Sequence, residues 1–240
     1  FMNSTWGCVM ERNYNKRTEK DYNWLRKIWY HLFVLFVVAP VSKLLYNIKV
    51  EGKENLPPKS KTRLIFAGNH VSYLDPPMLS YAVDRYIAYM GKKELFTDKN
   101  KLLRFLVHSL GGFAVNREKP ELATFKTVKA VFNTTWSLGI FPQGGIVKEP
   151  VIDNITKGFV LFAKKYQADI IPIGVCGFDG YAHKLFEKHM TIKIGKPISY
   201  ELSEDEIVSE WARQISEFTG FKNNVNNKSE MQKECVSLNS

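Results

Sequence analysis

The sequence has few cysteines and a shortage of acidic side chains. Its 240 residues contain three scattered cysteines, Cys8, Cys176 and Cys235, with no histidine nearby at metal-ligand spacing. This odd, sparse set argues against a disulfide framework and a zinc site, and it is typical of a reducing compartment. Lysine and arginine outnumber aspartate and glutamate by 34 to 24. The resulting net charge of +10 indicates an anionic partner: nucleic acid, anionic lipid or a phosphorylated substrate.

The chain also lacks a recognisable secretory signal and a clear membrane-spanning run. Its first 27 residues are polar and contain Glu11, Glu19 and Asp21, unlike a short basic region that leads into an apolar core. The apolar stretch comes later, at residues 32–41 (LFVLFVVAPV). Ten helical residues rise about 15 Å, roughly half of a ~30 Å hydrocarbon core, so this stretch alone is short for a span.

The residues in front of the apolar stretch are typical of a membrane surface. Trp24, Trp29 and Tyr30 suit a bilayer interface. Six basic residues lie among positions 12 to 27: Arg12, Lys16, Arg17, Lys20, Arg26 and Lys27. Together these features predict a segment that lies in or dips into one leaflet of an anionic membrane, on the cytoplasmic face. A buried core helix and a true transmembrane span are the alternatives.

Downstream of residue 55, short apolar runs alternate with amphipathic stretches. Strands are predicted at residues 64–67, 86–90, 113–115, 138–141, 170–175 and 191–194. Helices are predicted at residues 121–136, 156–167 and 204–218. A further helix is predicted to begin at Asp75, as its N-cap, with Pro76 in the first turn. This alternation predicts an α/β fold: a single-domain mixed sheet flanked by helices, with an N-terminal membrane-associating helical segment.

Composition divides the chain into three parts. Residues 1–47 form the basic and apolar segment that is predicted to associate with a membrane. Residues 48–221 form the folded domain, which carries all the motifs described below. Residues 222–240 are polar and rich in asparagine, and they are predicted to form a mobile tail.

Four junctions between a strand and a loop carry the residues most suited to chemistry: GNHVSYLD, GGFAVNR, FPQGG and IIPIG. In open α/β sheets, ligands bind beyond the carboxyl ends of the strands. His70, Arg117 and the Gly144–Gly145 pair could therefore meet in one cleft. Taken singly, each has an ordinary interpretation as a partly buried histidine, a surface charge or a turn. Their order and spacing are what point to a site.

The order of these blocks resembles that of the glycerolipid acyltransferases, the family of bacterial and organellar 1-acylglycerol-3-phosphate acyltransferases. The likeness runs over residues 50–197. The family signature N-H-x-x-x-x-D is present as Asn69, His70 and Asp75. The other blocks that resemble family landmarks are, in chain order, VEGKENLP, GKKELF, GGFAVNR, FPQGG, KGFVLFA and IIPIG.

The resemblance implies transfer of a fatty acyl group from acyl-CoA or acyl-carrier protein to the free hydroxyl of 1-acylglycerol 3-phosphate, which forms phosphatidic acid. It implies that His70 is the general base and that Asp75 orients it. No metal and no cofactor is expected, because the acyl donor is itself a substrate. The substrate-binding residues that it implies are Lys92, Arg117, Gln143, Gly144, Gly145 and Lys148.

Two departures from the family pattern leave the acceptor open. Gln143 stands where the family usually has glutamate, and the segment from Gly145 to Lys148 lacks an arginine that often follows. The same chemistry on another lysolipid or hydroxylated lipid is therefore an alternative. From a different class, a basic nucleic-acid-binding protein fits the charge, but the sequence has no RNP-like aromatic strand, zinc pattern or basic helix array. A catalytically silent lipid-binding relative is disfavoured by the intact His70 and Asp75.

Overall fold

A mixed sheet of seven strands runs through the described part of this computed structural model, which comprises residues 16–97, 101–115, 121–177 and 190–225. In chain order, the strands are β1 (Lys49–Glu51), β2 (Leu64–Gly68), β3 (Ile87–Lys92), β4 (Phe113–Val115), β5 (Ser137–Ile140), β6 (Val151–Ile152), β7 (Asp169–Cys176), β8 (Thr191–Ile194) and β9 (Lys222–Asn223). The main sheet has the order β1-β8-β7-β2-β5-β3-β4, and β6 pairs separately with β9.

The helices of the described residues lie between these strands and at the N-terminus. They are α1 (Trp24–Phe33), α2 (Asp75–Val83), α3 (Lys93–Thr97), α4 (Lys101–Ser109), α5 (Leu122–Phe132), α6 (Gly158–Tyr166) and α7 (Glu204–Thr219). Short 3-10 turns occur at Glu19–Tyr22 and Lys53–Asn55. α1 continues through π-helical turns, so that the helix Trp24–Leu44 is 21 residues long. By length and composition alone, this helix could cross a membrane.

The central strand β2 shows why the sheet is buried on both faces. It pairs in parallel with both β5 and β7, and all five of its residues are buried. Because successive side chains of a strand point to opposite faces, Ile65 and Ala67 pack into one core cluster and Leu64 and Phe66 into another. α2 covers the second cluster, and α5, α6 and α7 cover the first.

The predicted fold class is confirmed: the sheet is mixed, since β8 runs antiparallel to β7, and helices flank it. The predicted strands and helices are present, although the strand expected at residues 86–90 runs from Ile87 to Lys92. Five elements were not predicted, namely the edge strand β1, the short paired strands β6 and β9, and the helices α3 and α4.

Both ends of the described chain are joined to the folded domain. Tyr22 and Tyr30, which belong to the predicted membrane segment, are buried, and each ring lies 5.2 Å from the Trp136 ring. At the other end, β9 pairs with β6, although the mobile tail was predicted to begin at residue 222. Ordered structure therefore continues past that predicted boundary. The remainder of the predicted tail, residues 226–240, lies outside the described residues.

Candidate active site

The predicted site residues that the structure describes lie at or just beyond the carboxyl ends of neighbouring strands. Strands β2, β3, β4, β5 and β7 are mutually parallel, so their carboxyl ends share this edge. The register places Ala67 opposite Ile140 and Lys92 opposite Val115. The loops after β2 and β5 therefore begin side by side. Parallel pairing of this kind is the arrangement that gathers loop residues into a common cleft.

His70 and Asp75 form a hydrogen-bonded pair across the loop between β2 and α2. Nδ1 of His70 lies 2.8 Å from Oδ2 of Asp75. The Asp75 side chain is fully buried, whereas the His70 side chain is 14% exposed. Since an ionised carboxylate only accepts hydrogen bonds, this contact places the histidine proton on Nδ1 and leaves the Nε2 lone pair available. The pair therefore has the geometry of a general base with its orienting carboxylate.

The Asp75 carboxylate faces backward, toward the loop that precedes its helix. Its Oδ2 also accepts hydrogen bonds from the backbone N–H of Val71, at 2.7 Å, and of Ser72, at 2.8 Å. The prediction that Asp75 is the N-cap of α2 is therefore wrong: Asp75 is the first residue of the helix, and Leu74 occupies the cap position. The carboxylate holds the short loop closed and thereby fixes the position of His70.

An aromatic ring packs on the face of the His70 imidazole. The rings of His70 and Phe141 are stacked with centroids 4.1 Å apart, and Tyr89 stacks on the same Phe141 at 6.0 Å. Gly139 makes this stack possible, because a Cβ there would lie 2.4 Å from the Tyr89 ring. Burial raises the pKa of Tyr89 well above its usual value, so its phenol is neutral. The imidazole consequently rests on an uncharged, apolar wall.

Asn69 fixes the start of the same loop. Its side-chain amide bonds to both backbone groups of Val175, with Nδ2 donating to the carbonyl at 3.1 Å and Oδ1 accepting from the N–H at 2.7 Å. Asn69 is fully buried. Its side chain therefore continues the hydrogen bonding between β2 and β7 beyond the end of β2, and it fixes the backbone just before His70.

The glycine-rich loop after β5 closes over the His70 loop. The backbone N–H of Val147 donates to the His70 carbonyl at 2.8 Å. Gly144 has φ +73°, a left-handed conformation that favours glycine. A Cβ at Gly145 would meet no heavy atom within 4 Å. The backbone of the loop is therefore open to approach at Gly145.

Comparison with known proteins decides which family this site belongs to. Residues 47–176, more than half of the chain, match the family model described as Acyltransferase. The chain belongs to the acyltransferase family. It is 33% identical over 160 residues to the 1-acyl-sn-glycerol-3-phosphate acyltransferase of Bacillus subtilis (strain 168), covering 66% of this chain and 77% of that protein. The predicted family resemblance and the prediction of an O-acyltransferase are thereby confirmed.

Two further proteins are similar to this acyltransferase. The protein of the same name from Borreliella burgdorferi is 30% identical over 137 residues, which cover 55% of this chain and 53% of that protein. The solved structure of the 1-acyl-sn-glycerophosphate (LPA) acyltransferase PlsC from Thermotoga maritima superposes with a TM-score of 0.65 at 21% identity. It covers 80% of this chain and 78% of that one. At that identity the superposition shows that the fold is shared.

Of the three basic residues predicted for the site of the acyltransferase, two are exposed and the third lies outside the described residues. Lys92 is exposed at the carboxyl end of β3, and the strand's alternation places it on the face opposite Tyr89. Lys148 is exposed directly after Val147, close to the His70 loop. Arg117 lies in residues 116–120, outside the described part of the chain. Within the described residues, no group of three or more His, Cys, Asp or Glu could hold a metal ion.

The Gln143 side chain is bound to the next strand. Its Nε2 donates to the backbone carbonyl of Val151 in β6 at 3.0 Å. In the described structure, its Oε1 is buried and has no hydrogen-bond partner. Gln143 therefore braces the loop by a bond that requires a donor, and a glutamate could not make it.

Sequence reasoning missed the residues that support the dyad from outside its own loop. Phe141 has no polar group and the Tyr89 phenol has no distinctive sequence context, so neither was marked as part of a site, and the role of Asn69 was not assigned. Two signals were nonetheless visible in the sequence: an aromatic residue directly before the Pro142 turn, and a glycine within the short buried strand β5. These two signals can be interpreted only when β3 is known to pair with β5, because that pairing brings Tyr89 next to Gly139 and Phe141.

Proposed function

We propose that this acyltransferase moves a fatty acyl group from acyl-CoA or acyl-carrier protein to the free hydroxyl of 1-acylglycerol 3-phosphate, forming phosphatidic acid. The observation that carries the proposal is the hydrogen-bonded pair of His70 and Asp75 at the open edge of the sheet. The names of the relatives support the acceptor, since both bacterial proteins are called 1-acyl-sn-glycerol-3-phosphate acyltransferase.

In the proposed reaction, Nε2 of His70 takes the proton of the acceptor hydroxyl as its oxygen attacks the thioester carbonyl. A carbon–oxygen bond forms, and the tetrahedral intermediate collapses by breaking the carbon–sulfur bond. The leaving thiolate receives the proton from His70, so the base is regenerated. Asp75 stabilises the imidazolium between the two transfers. The reaction needs no nucleophile from the protein, because the lipid hydroxyl attacks directly. It also needs no metal and no cofactor beyond the acyl donor.

The substrate contacts are proposed from position. Arg117, Lys92 and Lys148 would hold the acceptor phosphate, because a phosphomonoester requires fixed positive charge. Backbone N–H groups of the Gly144–Gly145 loop would stabilise the oxyanion that develops on the thioester carbonyl. The open space beside Gly145 supports this assignment, since a reacting group must approach the loop backbone closely.

The proposed reaction takes place at the cytoplasmic face of an anionic membrane. The helix Trp24–Leu44 supports membrane association, because most of its large apolar side chains are exposed. Both the acceptor and the product are lipids, so attachment of the enzyme to the bilayer brings the site to its substrate.

A second acceptor class remains a candidate because of the glycine-rich loop. Gln143 is used as a brace, and no arginine follows in the segment up to Lys148. Fewer positive groups at this loop favour another lysolipid or hydroxylated lipid, which would be acylated by the same His70 chemistry.

The proposal is tested with His70→Ala and a panel of lysolipid acceptors, each offered with labelled acyl-CoA and with acyl-carrier protein. His70→Ala should lower kcat by about 10²-fold or more, the usual scale for general acid–base catalysis. His31→Ala, which removes an exposed histidine from α1, serves as the control. Near-normal turnover by folded His70→Ala would refute the mechanism. A preference for an acceptor without a phosphomonoester would select the second acceptor class.

A further inference from the structure

The N-terminal segment is bound to α4 through the carboxyl-terminal end of that helix. Arg17 Nη2 donates to the carbonyl of His108 at 2.8 Å and to that of Gly112 at 2.5 Å. Arg26 Nη1 donates to the same His108 carbonyl at 2.6 Å. The last carbonyls of a helix have no partner within it and carry partial negative charge, so two guanidinium groups are a strong cap. α1 and α4 therefore form one unit.

The exposed apolar side chains of the two helices form one continuous surface. Trp29 joins them: its Nε1 donates to Ser109 Oγ at 3.1 Å, and its ring lies 6.3 Å from the Phe105 ring. On α4, Phe105 is 57% exposed and Leu102 is 66% exposed. We call this surface the α1–α4 face; its exposed apolar side chains are Trp24, Leu25, Ile28, Trp29, Leu32, Leu102, Leu103 and Phe105.

The charges of the α1–α4 face are all of one sign. Neither α1 (WLRKIWYHLF) nor α4 (KLLRFLVHS) contains an aspartate or a glutamate. The basic side chains of the two helices are Arg26, Lys27, Lys101 and Arg104. Burial, with a further contribution from Arg17 and Arg26, lowers the pKa of His108 to about 4, so His108 adds no charge near neutral pH. Large apolar side chains beside lysine and arginine match the interface of an anionic bilayer.

We propose that α4 is a second membrane-docking helix, which inserts Leu102 and Phe105 beside α1 into the headgroup region of an anionic phospholipid bilayer. The proposal rests on the proposed membrane association and extends it from the N-terminal helix to the folded domain. α4 leads through Gly111 and Gly112 into β4, whose carboxyl end lies at the edge of the sheet that carries the dyad. Docking of α4 thus places this edge near the leaflet that contains a lipid acceptor.

A bilayer fits this surface better than the other possible occupants. An acidic carrier protein would need mainly basic charge, whereas the centre of the α1–α4 face is made of tryptophan, leucine and phenylalanine. A second copy of this chain would bring the same basic residues against each other, which is unfavourable. A membrane with anionic lipid accommodates the apolar side chains and the basic residues at once.

The test measures binding of the full chain to vesicles of phosphatidylcholine, with and without phosphatidylglycerol. The double variant Leu102→Ser with Phe105→Ser should lower the partition coefficient on the mixed vesicles about tenfold or more, because two large apolar side chains no longer enter the lipid. Leu161→Ser is the matched control: this leucine is 43% exposed on α6, which packs on α5, α7 and β2. The control should bind like the parent.

A second pair of substitutions tests the charge without touching the apolar side chains. Lys101→Glu with Arg104→Glu should weaken binding to the phosphatidylglycerol vesicles and leave binding to pure phosphatidylcholine unchanged. Wild-type binding by both double variants, with wild-type thermal unfolding, would overturn the proposal. Two other results would also overturn it, if the double variants bind vesicles like the wild type. One is that the wild-type chain is a dimer and the serine double variant is a monomer; the other is that the variants lose only turnover with acyl-carrier protein.

The vesicle-binding test can fail or succeed independently of the proposed reaction, because sedimentation with vesicles does not require turnover. Both double variants should keep parental activity on a dispersed short-chain lysolipid with acyl-CoA. If the wild-type chain is inactive on every acceptor but binds vesicles through α4, the proposed reaction is refuted and the docking surface is supported.

Discussion

At the scale of single residues, the dyad depends on which atom of Asp75 carries the hydrogen bonds. One oxygen, Oδ2, accepts from the His70 ring and from two backbone N–H groups, whereas the buried Oδ1 has no hydrogen-bond partner among the described residues. The loop and the imidazole are therefore positioned by the same atom. A change that preserves the shape of the side chain but removes its charge therefore acts on the loop and on the imidazole together.

Asp75→Asn should lower kcat by about 10²- to 10⁴-fold while the fold persists. One atom position contacts His70 Nδ1 and both backbone N–H groups. If the amide oxygen keeps that position, the negative charge that stabilises the imidazolium is lost; if the N–H₂ takes it, the loop loses its acceptor and the histidine proton moves to Nε2. Rates over a range of pH, together with thermal unfolding, check this prediction. A kcat close to that of the wild type would show that Asp75 only closes the loop.

Gln143→Glu tests whether position 143 chooses the acceptor or supports the loop. The Gln143 amide donates to the Val151 carbonyl, and a carboxylate at this position would repel it. We expect a lower melting temperature and a uniform fall in activity on every acceptor at fixed donor concentration. A changed preference among acceptors, with unchanged stability, would show instead that Gln143 contacts the substrate.

At the scale of elements, the capped end of α4 makes the protein sensitive to acid. His108 has a pKa lowered from 6.5 to about 4 by burial first and then by Arg17 and Arg26. The unfolded chain therefore binds a proton at this histidine as the pH falls below 6.5, while the folded chain does not until about pH 4. This contribution to stability is complete above pH 6.5 and is lost as the pH falls through that window.

His108→Gln should remove this part of the acid sensitivity, because glutamine does not titrate. The backbone carbonyl that Arg17 and Arg26 contact is retained in the variant. Urea unfolding at several pH values between 6.5 and 4 is the measurement, and the variant should lose stability less steeply than the wild type. Parallel curves would mean that His108 titrates alike in both states.

At the scale of the whole molecule, the predicted membrane segment and the folded domain share a core. The buried Tyr30 hydroxyl donates to Ser80 Oγ at 2.6 Å and accepts from the Ile87 N–H at 3.2 Å. Tyr30 thereby joins α1 to α2 and β3, while its ring packs on Trp136. Removal of residues 1–47 would therefore expose the core, so point substitutions are the better test of the proposed membrane binding.

Tyr30→Phe should destabilise the protein by about 1–3 kcal/mol, the cost of leaving a buried N–H group without a partner. Chemical denaturation measures the change in unfolding free energy. Tyr73→Phe removes a hydroxyl from an exposed tyrosine and should change stability little. Equal effects of the two substitutions would show that the N-terminal helix folds independently of the domain.

The sequence by itself determined the elements whose signal is local. Apolar runs such as Leu64–Gly68 predict buried strands, because a strand covered on both faces needs apolar side chains at successive positions. The spacing of His70 and Asp75 was also readable, since they stand at the two ends of one short loop between a strand and a helix. The basic charge and the tryptophans near the N-terminus predicted a membrane surface from composition alone, which requires no knowledge of the fold.

The tertiary structure alone decided which distant residues complete the site. Phe141 meets His70 because β5 pairs with β2, and Tyr89 meets Phe141 because β3 pairs with β5. β1 escaped prediction because it is a short edge strand, defined by its pairing with β8. The direction of the Asp75 carboxylate and the capping of α4 by Arg17 likewise depend on how segments far apart in the chain pack together. Local periodicity carries no information about such contacts, which form only when the elements are assembled.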